Sequence, residues 1–257
     1  MTQKAGAAKA GIQAGDTITS WSQANRERVI VSPLDLVWVE RERGPRGPVT
    51  LAGLRESAVK KWILNSTPWG ITAGPKFSGA QAIDARMKQL AASNQFDKLA
   101  EFCRAACGGI NTTSPLRYWP FFAAARLLAA SQHWKAADEF YARAIDESRR
   151  ATGNLPGQIY EEWGEVHEHH KDWIIARKYY SEAFAEDRKI DPESLTVAYD
   201  LQKLALMQFR LGDVLGAERF ATQALRIRRK LCPSTPQMAT ILNYMGVFAQ
   251  ENGDLDS

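Results

Sequence analysis

Residues 211–246 read LGDVLGAERFATQALRIRRKLCPSTPQMATILNYMG. Ala217, Ala221 and Ala224 stand four and then three residues apart, so a helix through them carries all three on one face. The same pattern occurs upstream as Ala176-Tyr180-Ala183 and Ala137-Tyr141-Ala144, at intervals of 41 and 39 residues. Leu99-Cys103-Ala106 is a weaker copy. Self-similarity at this period is the signature of stacked helical hairpins. The hairpin turns fall at Gln132-His133-Trp134, His170-Lys171-Asp172-Trp173 and Leu211-Gly212-Asp213. Pro and Gly break the chain at Cys107-Gly108-Gly109, residues 152–157, Asp191-Pro192 and Cys232-Pro233. Apolar positions between these breaks recur at three- and four-residue steps, which predicts a mostly α solenoid over residues 81–257.

Residues before that region have a different character. Ala10-Gly11-Ile12-Gln13-Ala14-Gly15-Asp16-Thr17-Ile18-Thr19-Ser20-Trp21 runs from a Gly-rich turn into an alternating strand. Ser32-Pro33-Leu34-Asp35 opens a short helix, with Ser32 as N-cap, Pro33 in the first turn and Asp35 at the positive end of the helix. After the break Gly44-Pro45-Arg46-Gly47-Pro48, residues 49–55 and 60–64 read as two strands. Residues 68–80, dense in Gly, Pro and Thr, read as a linker. The expected organisation is therefore a small α+β module over 1–67, a linker over 68–80 and helical repeats over 81–257, the last one incomplete.

The repeats resemble tetratricopeptide repeats, and residues 211–246 look like the longer variety found in kinesin light chains. In that family, small residues let two antiparallel helices approach closely. On the first helices the small position falls on Ala125, Gly164, Ala205 and Gly246. The resemblance implies a concave groove lined by first-helix residues. By register these are Trp119, Phe122, Arg126, Gln158, Glu161, Glu165, Tyr199, Gln202, Leu206, Phe209, Arg210, Asn243 and Val247. The N-terminal stretch resembles the second half of a bacterial PDZ domain. That family begins with a carboxylate-binding loop and a ligand-pairing strand, and only nine residues precede Ala10. The expectation is a partial PDZ-like module that does not bind peptides in the usual way. The fourth repeat opens at Leu242 and the sequence stops at Ser257, so the chain reads as a fragment whose C-terminal half-hairpin is unpaired.

Composition excludes several classes. The chain has 257 residues, 45% of them hydrophobic and 24% charged, with 33 basic and 29 acidic residues interspersed. A net charge of +4 is too mild to imply nucleic acid. No apolar run is long enough to span a membrane, and residues 1–6 lack the apolar core of a secretory signal. Three cysteines are too few for a disulfide framework, which favours a cytoplasmic compartment.

Candidate chemistry is sparse. His167 and His170 have metal-ligand spacing, but His167 falls on a core position of the repeat and His170 in a turn. Cys103 and Cys107 could share a metal, yet no second pair supplies the remaining ligands, so they read as packing thiols. Glu161, Glu162, Glu165 and Glu168 read as a solvated or partner-facing acidic strip. Trp134 and Trp173 recur with the hairpins and read as packing residues. No nucleophile elbow, phosphate loop or zinc-protease motif occurs. The expectation is a non-enzymatic scaffold or adaptor. It has no catalytic residue, metal or cofactor, and it binds a protein or peptide in the groove. Self-association through the unpaired half-hairpin is a further expectation. The alternative is the regulatory or sensing arm of a larger bacterial enzyme, with a caspase-like peptidase, kinase or cyclase domain beyond Ser257.

Overall fold

The structure is a computed structural model that describes residues 6–65, 68–76, 79–111, 114–150, 155–233 and 235–252. The chain divides into two compact units, the first built from the residues up to Lys76 and the second from Phe77–Arg229 with Pro236 onward.

In the first unit a one-turn helix α1 (Gly6–Lys9) precedes strands β1 (Thr17–Gln23) and β2 (Arg26–Val29), helix α2 (Pro33–Glu42), and strands β3 (Val49–Arg55) and β4 (Ala58–Leu64). The antiparallel sheet has the order β2-β1-β3-β4. Alternation along β3 and β4 puts Val49, Leu51, Trp62 and Leu64 on the inner face. Trp21, Leu36 and Val39 complete the core with them. Helix α2 starts where the sequence reading places it. Ser32 accepts from the Leu34 N–H, and the Asp35 carboxylate accepts from the Ser32 N–H at 2.8 Å, a capping box. Asp16 closes the Gly-rich turn by pairing with Arg55 at 2.7 Å.

The stretch expected to be a linker takes part in this core. Trp69 is fully buried, its N–H donates to Glu40 Oε1 at 2.6 Å, and its carbonyl accepts from the Ala7 N–H at 2.9 Å. Gly and Pro density signals irregular backbone, but it does not say whether an aromatic side chain in that backbone has a core to enter.

Gly53 is the tightest point of the sheet. It pairs with Ile18, where β1 shifts register by a bulge, and a Cβ at this position would lie 1.9 Å from the Thr17 carbonyl oxygen. That obstacle is backbone and cannot rotate away. Gly53→Ala should therefore destabilise the first unit by about 1–3 kcal/mol. Limited proteolysis should show cleavage between residues 16 and 64 at lower denaturant than in the parent chain, and an unchanged cleavage midpoint would refute the close-approach argument.

The second unit is entirely helical among the described residues. Its helices are α3 (Ala80–Ala92), α4 (Phe96–Gly108), α5 (Trp119–Ala130), α6 (Trp134–Ser148), α7 (Leu155–His169), α8 (Trp173–Ile190), α9 (Leu195–Arg210), α10 (Val214–Leu231) and α11 (Pro236–Asn252). Four hairpin turns share one construction. Asn94, Gln132, Lys171 and Gly212 each take left-handed backbone, with φ of 55°, 63°, 64° and 84°. The following N–H reaches back to Leu90, Leu128, His167 and Gln208 at 3.0, 2.9, 2.9 and 2.9 Å. This is the Schellman end of a helix, which satisfies carbonyls the helix leaves open and reverses the chain.

Close packing follows the small residues. Ala137, Ala144, Ala176, Ala183, Ala217 and Ala224 are all buried, as are Ala125, Gly164 and Ala205. At Gly164 the reason is direct: a Cβ there would stand 2.9 Å from the buried Tyr180 ring. Gly246 has no such neighbour within 4 Å and is exposed, so the rule relaxes in α11. A second ladder joins successive hairpins. Phe96 meets His133 at 4.9 Å between ring centroids, Trp134 meets His170 at 4.5 Å, and Trp173 lies under Arg210 at 5.6 Å. Trp134 and Trp173 are thus packing residues, as their recurrence implied.

Helix α11 is unevenly covered. Ile241 and Phe248 are buried, Phe248 against Phe209 with ring centroids 4.9 Å apart, whereas Leu242 and Val247 are 47% and 38% exposed. With less apolar area removed from water per turn, α11 should exchange its backbone amides before α7, α8 and α9. Exchange mass spectrometry checks this, and protection of α11 equal to that of α9 would count against it.

Candidate functional site

The thirteen expected groove residues divide into two sets. Phe122, Gln158 and Glu161 are buried. Phe122 is enclosed by Tyr118, Trp119 and Tyr141, with ring centroids 5.6, 5.8 and 6.1 Å away. These three side chains are internal and do not present surface. Trp119, Arg126, Glu165, Tyr199, Gln202, Leu206, Phe209, Arg210, Asn243 and Val247 keep partial or full exposure. Within that set Arg210 is committed to Trp173 and Phe209 to Phe248.

The acidic strip of α7 also differs from expectation. Glu162 accepts from Arg126 of α5 at 3.0 Å and from the Tyr141 hydroxyl of α6 at 3.2 Å. Glu165 accepts from the Tyr199 hydroxyl of α9. Glu168 accepts from Lys203 of α9 at 2.8 Å and from the Tyr180 hydroxyl of α8. Every one of these carboxylates is engaged by another helix. Burial raises the Glu162 carboxyl above its ordinary value, and Arg126 opposes that shift. Tyr180 and Tyr141 are pushed up by burial first and by the carboxylates they meet second. Both therefore stay neutral and act as hydrogen-bond donors. The strip ties helices together, in place of the solvated or partner-facing strip that the sequence suggests.

The histidines are occupied as well. His167 Nε2 lies 2.9 Å from Asp138 Oδ1, the atom that also accepts from Trp163 Nε1 at 2.5 Å. Trp163 stacks on Tyr179 with centroids 3.8 Å apart. His170 packs on Trp134. The metal-ligand spacing of His167 and His170 thus serves two separate packing contacts.

One cluster was not foreseen. Glu161, Asp187 and Asp200, from α7, α8 and α9, are buried and place carboxylate oxygens within 4.8 Å of one another. Gly157 makes room for it, since a Cβ there would stand 2.2 Å from Asp187 Oδ1. The signal was available in the sequence. Ser148, Asp187 and Arg228 each follow Ala137, Ala176 and Ala217 by eleven residues, on the same helical stripe. All three are buried. None of the three carboxylates lacks a partner, so the cluster reads as internal polar packing.

Cys103 and Cys107 lie inside the unit. Their thiols donate to the carbonyls of Pro120 at 3.4 Å and Arg117 at 3.2 Å. Burial pushes both up to about 12 from an ordinary 9.0. A raised thiol pKa leaves the native state holding protons that the unfolded state releases. Their contribution to stability is whole below pH 9.0 and falls as pH rises toward about 12. Native protein at pH 8 should resist iodoacetamide at both positions until denaturant is added. Rapid alkylation of either thiol in the folded chain, read by mass spectrometry, would overturn this assignment.

Taken together, the fold is a mostly α arrangement of tetratricopeptide-like helical hairpins after a small open α+β unit. No helix among the described residues is long and apolar enough to cross a membrane. No protein-family model matches the chain, and no curated protein matches it. Solved structures do. The crystal structure of BtubC (BKLC) from P. vanneervenii is similar over 68% of this chain and 73% of that one, at 21% identity and a TM-score of 0.51. A putative kinesin light chain from Podosopora anserina with nearly identical TPR-like repeats covers 67% and 86%, at 14% identity and 0.48. Pseudomonas Aeruginosa pilF covers 69% and 72%, at 17% identity and 0.43. At 21% identity the likeness to BtubC is one of fold.

Proposed function

We propose that this chain is a non-enzymatic scaffold whose helical-repeat unit holds a protein or peptide along the first helices of its hairpins. The observation that carries this reading is the distribution of surface on those helices. The carboxylates of α7 are spent on neighbouring helices, while Trp119, Arg126, Gln202 and Leu206 keep surface on α5 and α9. A surface of one large aromatic, an aliphatic side chain and an amide suits apolar anchoring with a few polar contacts. Arg126 is half exposed even while it pairs with Glu162 and lies over Phe122, so its remaining N–H donors suit a ligand carbonyl or carboxylate. For the first unit we propose the PDZ-like reading. Its support is the order of hairpin, capped helix and hairpin around a Gly-rich turn.

The test is mutational. A partner is first isolated by affinity capture on the full chain, and its binding is then titrated against variants. Trp119→Ala with Leu206→Ala should weaken it by about 2 kcal/mol or more, as loss of a hot spot does. Glu165→Lys, which breaks the tie to Tyr199, should lower stability before it changes affinity. A partner whose affinity is indifferent to the first pair binds elsewhere, and the first-helix surface is then not the site.

A further inference from the structure

The first unit carries a charged patch that the repeat unit does not explain. β2 is the outer strand of its sheet, and Arg26, Glu27, Arg28 and Val29 are all exposed. No strand among the described residues pairs with its outer side. Arg28 is the cross-strand neighbour of Trp21, and Arg26 that of Gln23. Cross-strand neighbours share a face, so both arginines stand on the Trp21 side and Glu27 on the other. Gln23 Nε2 donates to the carbonyls of Arg43 and Gly47 at 3.1 Å each, which fastens the segment after α2 against that same face.

On that face Arg43 lies over two tryptophans, 5.5 Å from the centre of Trp21 and 5.4 Å from that of Trp38. No carboxylate pairs with its guanidinium among the described residues. Burial first, then the like charges of Arg46 and Arg26, push its pKa down. Arg28 adds to the same field, and Glu42, which opposes it, is bonded to Arg46. Four arginines thus crowd this part of the unit, and Glu42, the carboxylate that opposes their field at Arg43, is already engaged by Arg46. One of the four sits over the rings of Trp21 and Trp38.

We propose that the outer edge of β2, with Arg26, Arg28, Arg43 and Arg46, is a docking site for an extended acidic peptide segment of a protein partner. An added strand completes the unpaired N–H and C=O groups of β2. Alternate residues of that strand are about 6.6–6.8 Å apart, the spacing of Arg26 and Arg28 along β2, so carboxylates at every second position meet both arginines. The planar guanidinium fork suits a carboxylate, and stacking on tryptophan orients it. A phosphate polymer would match the charge, but its backbone carries no N–H to give the β2 carbonyls. This site is in a different unit from the first-helix surface and does not rest on it.

The experiment uses the full chain and a fluorescein-labelled, C-terminally amidated peptide of alternating Glu and Val, followed by fluorescence anisotropy. The acidic peptide should bind, a Lys-for-Glu version should not, and added salt should weaken the complex. Arg26→Glu with Arg28→Glu should weaken it at least about tenfold, and Arg26→Gln with Arg28→Gln less. Both positions are exposed, and circular dichroism checks that the fold is kept. Methylating alternate peptide amides on the edge-facing side should also reduce binding, whereas Trp119→Ala should leave it unchanged. The proposal is overturned if the acidic peptide fails to bind or if charge reversal leaves its affinity unaltered. It is overturned equally if an oligothymidylate of matched charge or phosphatidylserine vesicles bind more tightly with the same arginine dependence.

Discussion

Close approach of helix α7 to its neighbours is the constraint on which the repeat unit depends. Gly164 lets the Tyr180 ring lie against the α7 backbone, and Gly157 lets the Asp187 carboxylate do the same one helical stretch earlier. With the backbones that near, short side chains on α7 reach across to other helices. Glu162 finds α5 and α6, Glu165 finds α9, and Glu168 finds α8 and α9. A wider separation would leave these carboxylates to water, where such pairs contribute little. Packed as they are, they tie three consecutive hairpins together.

That economy shapes what the unit can do. Helical hairpins stacked side by side bury alanines and aromatics between them and leave one face of each first helix at the surface. The polar groups on the α7 part of that face are consumed in holding the stack. What remains at the surface is mainly apolar and amide area on α5 and α9, with Arg126 at its edge, the face we propose for a partner. The first unit has the opposite character. Its inner face is sealed by Trp21, Trp62 and Trp69, and its outer strand is rimmed with cations. The two units thus offer surfaces of different chemistry.

The interior of the repeat unit is more polar than its small-residue pattern suggests. Ser148, Asp187 and Arg228 occupy one register position in successive second helices, and each is buried. Burying charge is costly unless it is paired and hydrogen-bonded. Polar groups placed at a repeating position can fix which hairpin follows which, because an apolar substitute would pack equally well against any neighbour.

Much of the architecture was legible from residues 81–257 alone. Periodicity marks helices because a buried stripe must recur every 3.6 residues, and a small residue at a fixed place marks close helix contact. The capping box at Ser32 and the hairpin turns at Gln132, Lys171 and Gly212 are local, so they too follow from sequence. Trp69 was not legible, because entry into a core depends on where the sheet lies and not on its neighbours in the chain. Phe122, Gln158 and Glu161 were misplaced for a related reason: register assigns a residue to a helix face, but the neighbouring helix determines whether that face is covered. The fate of Glu165 and Glu168, and the meeting of Arg43 with Trp21 and Trp38, belong to the same kind. Sequence by itself determined the elements and their repeat, since those obey short-range geometry. Only the tertiary structure decided which charges are spent inside and which face outward, since pairing across distant residues is a property of the packed chain.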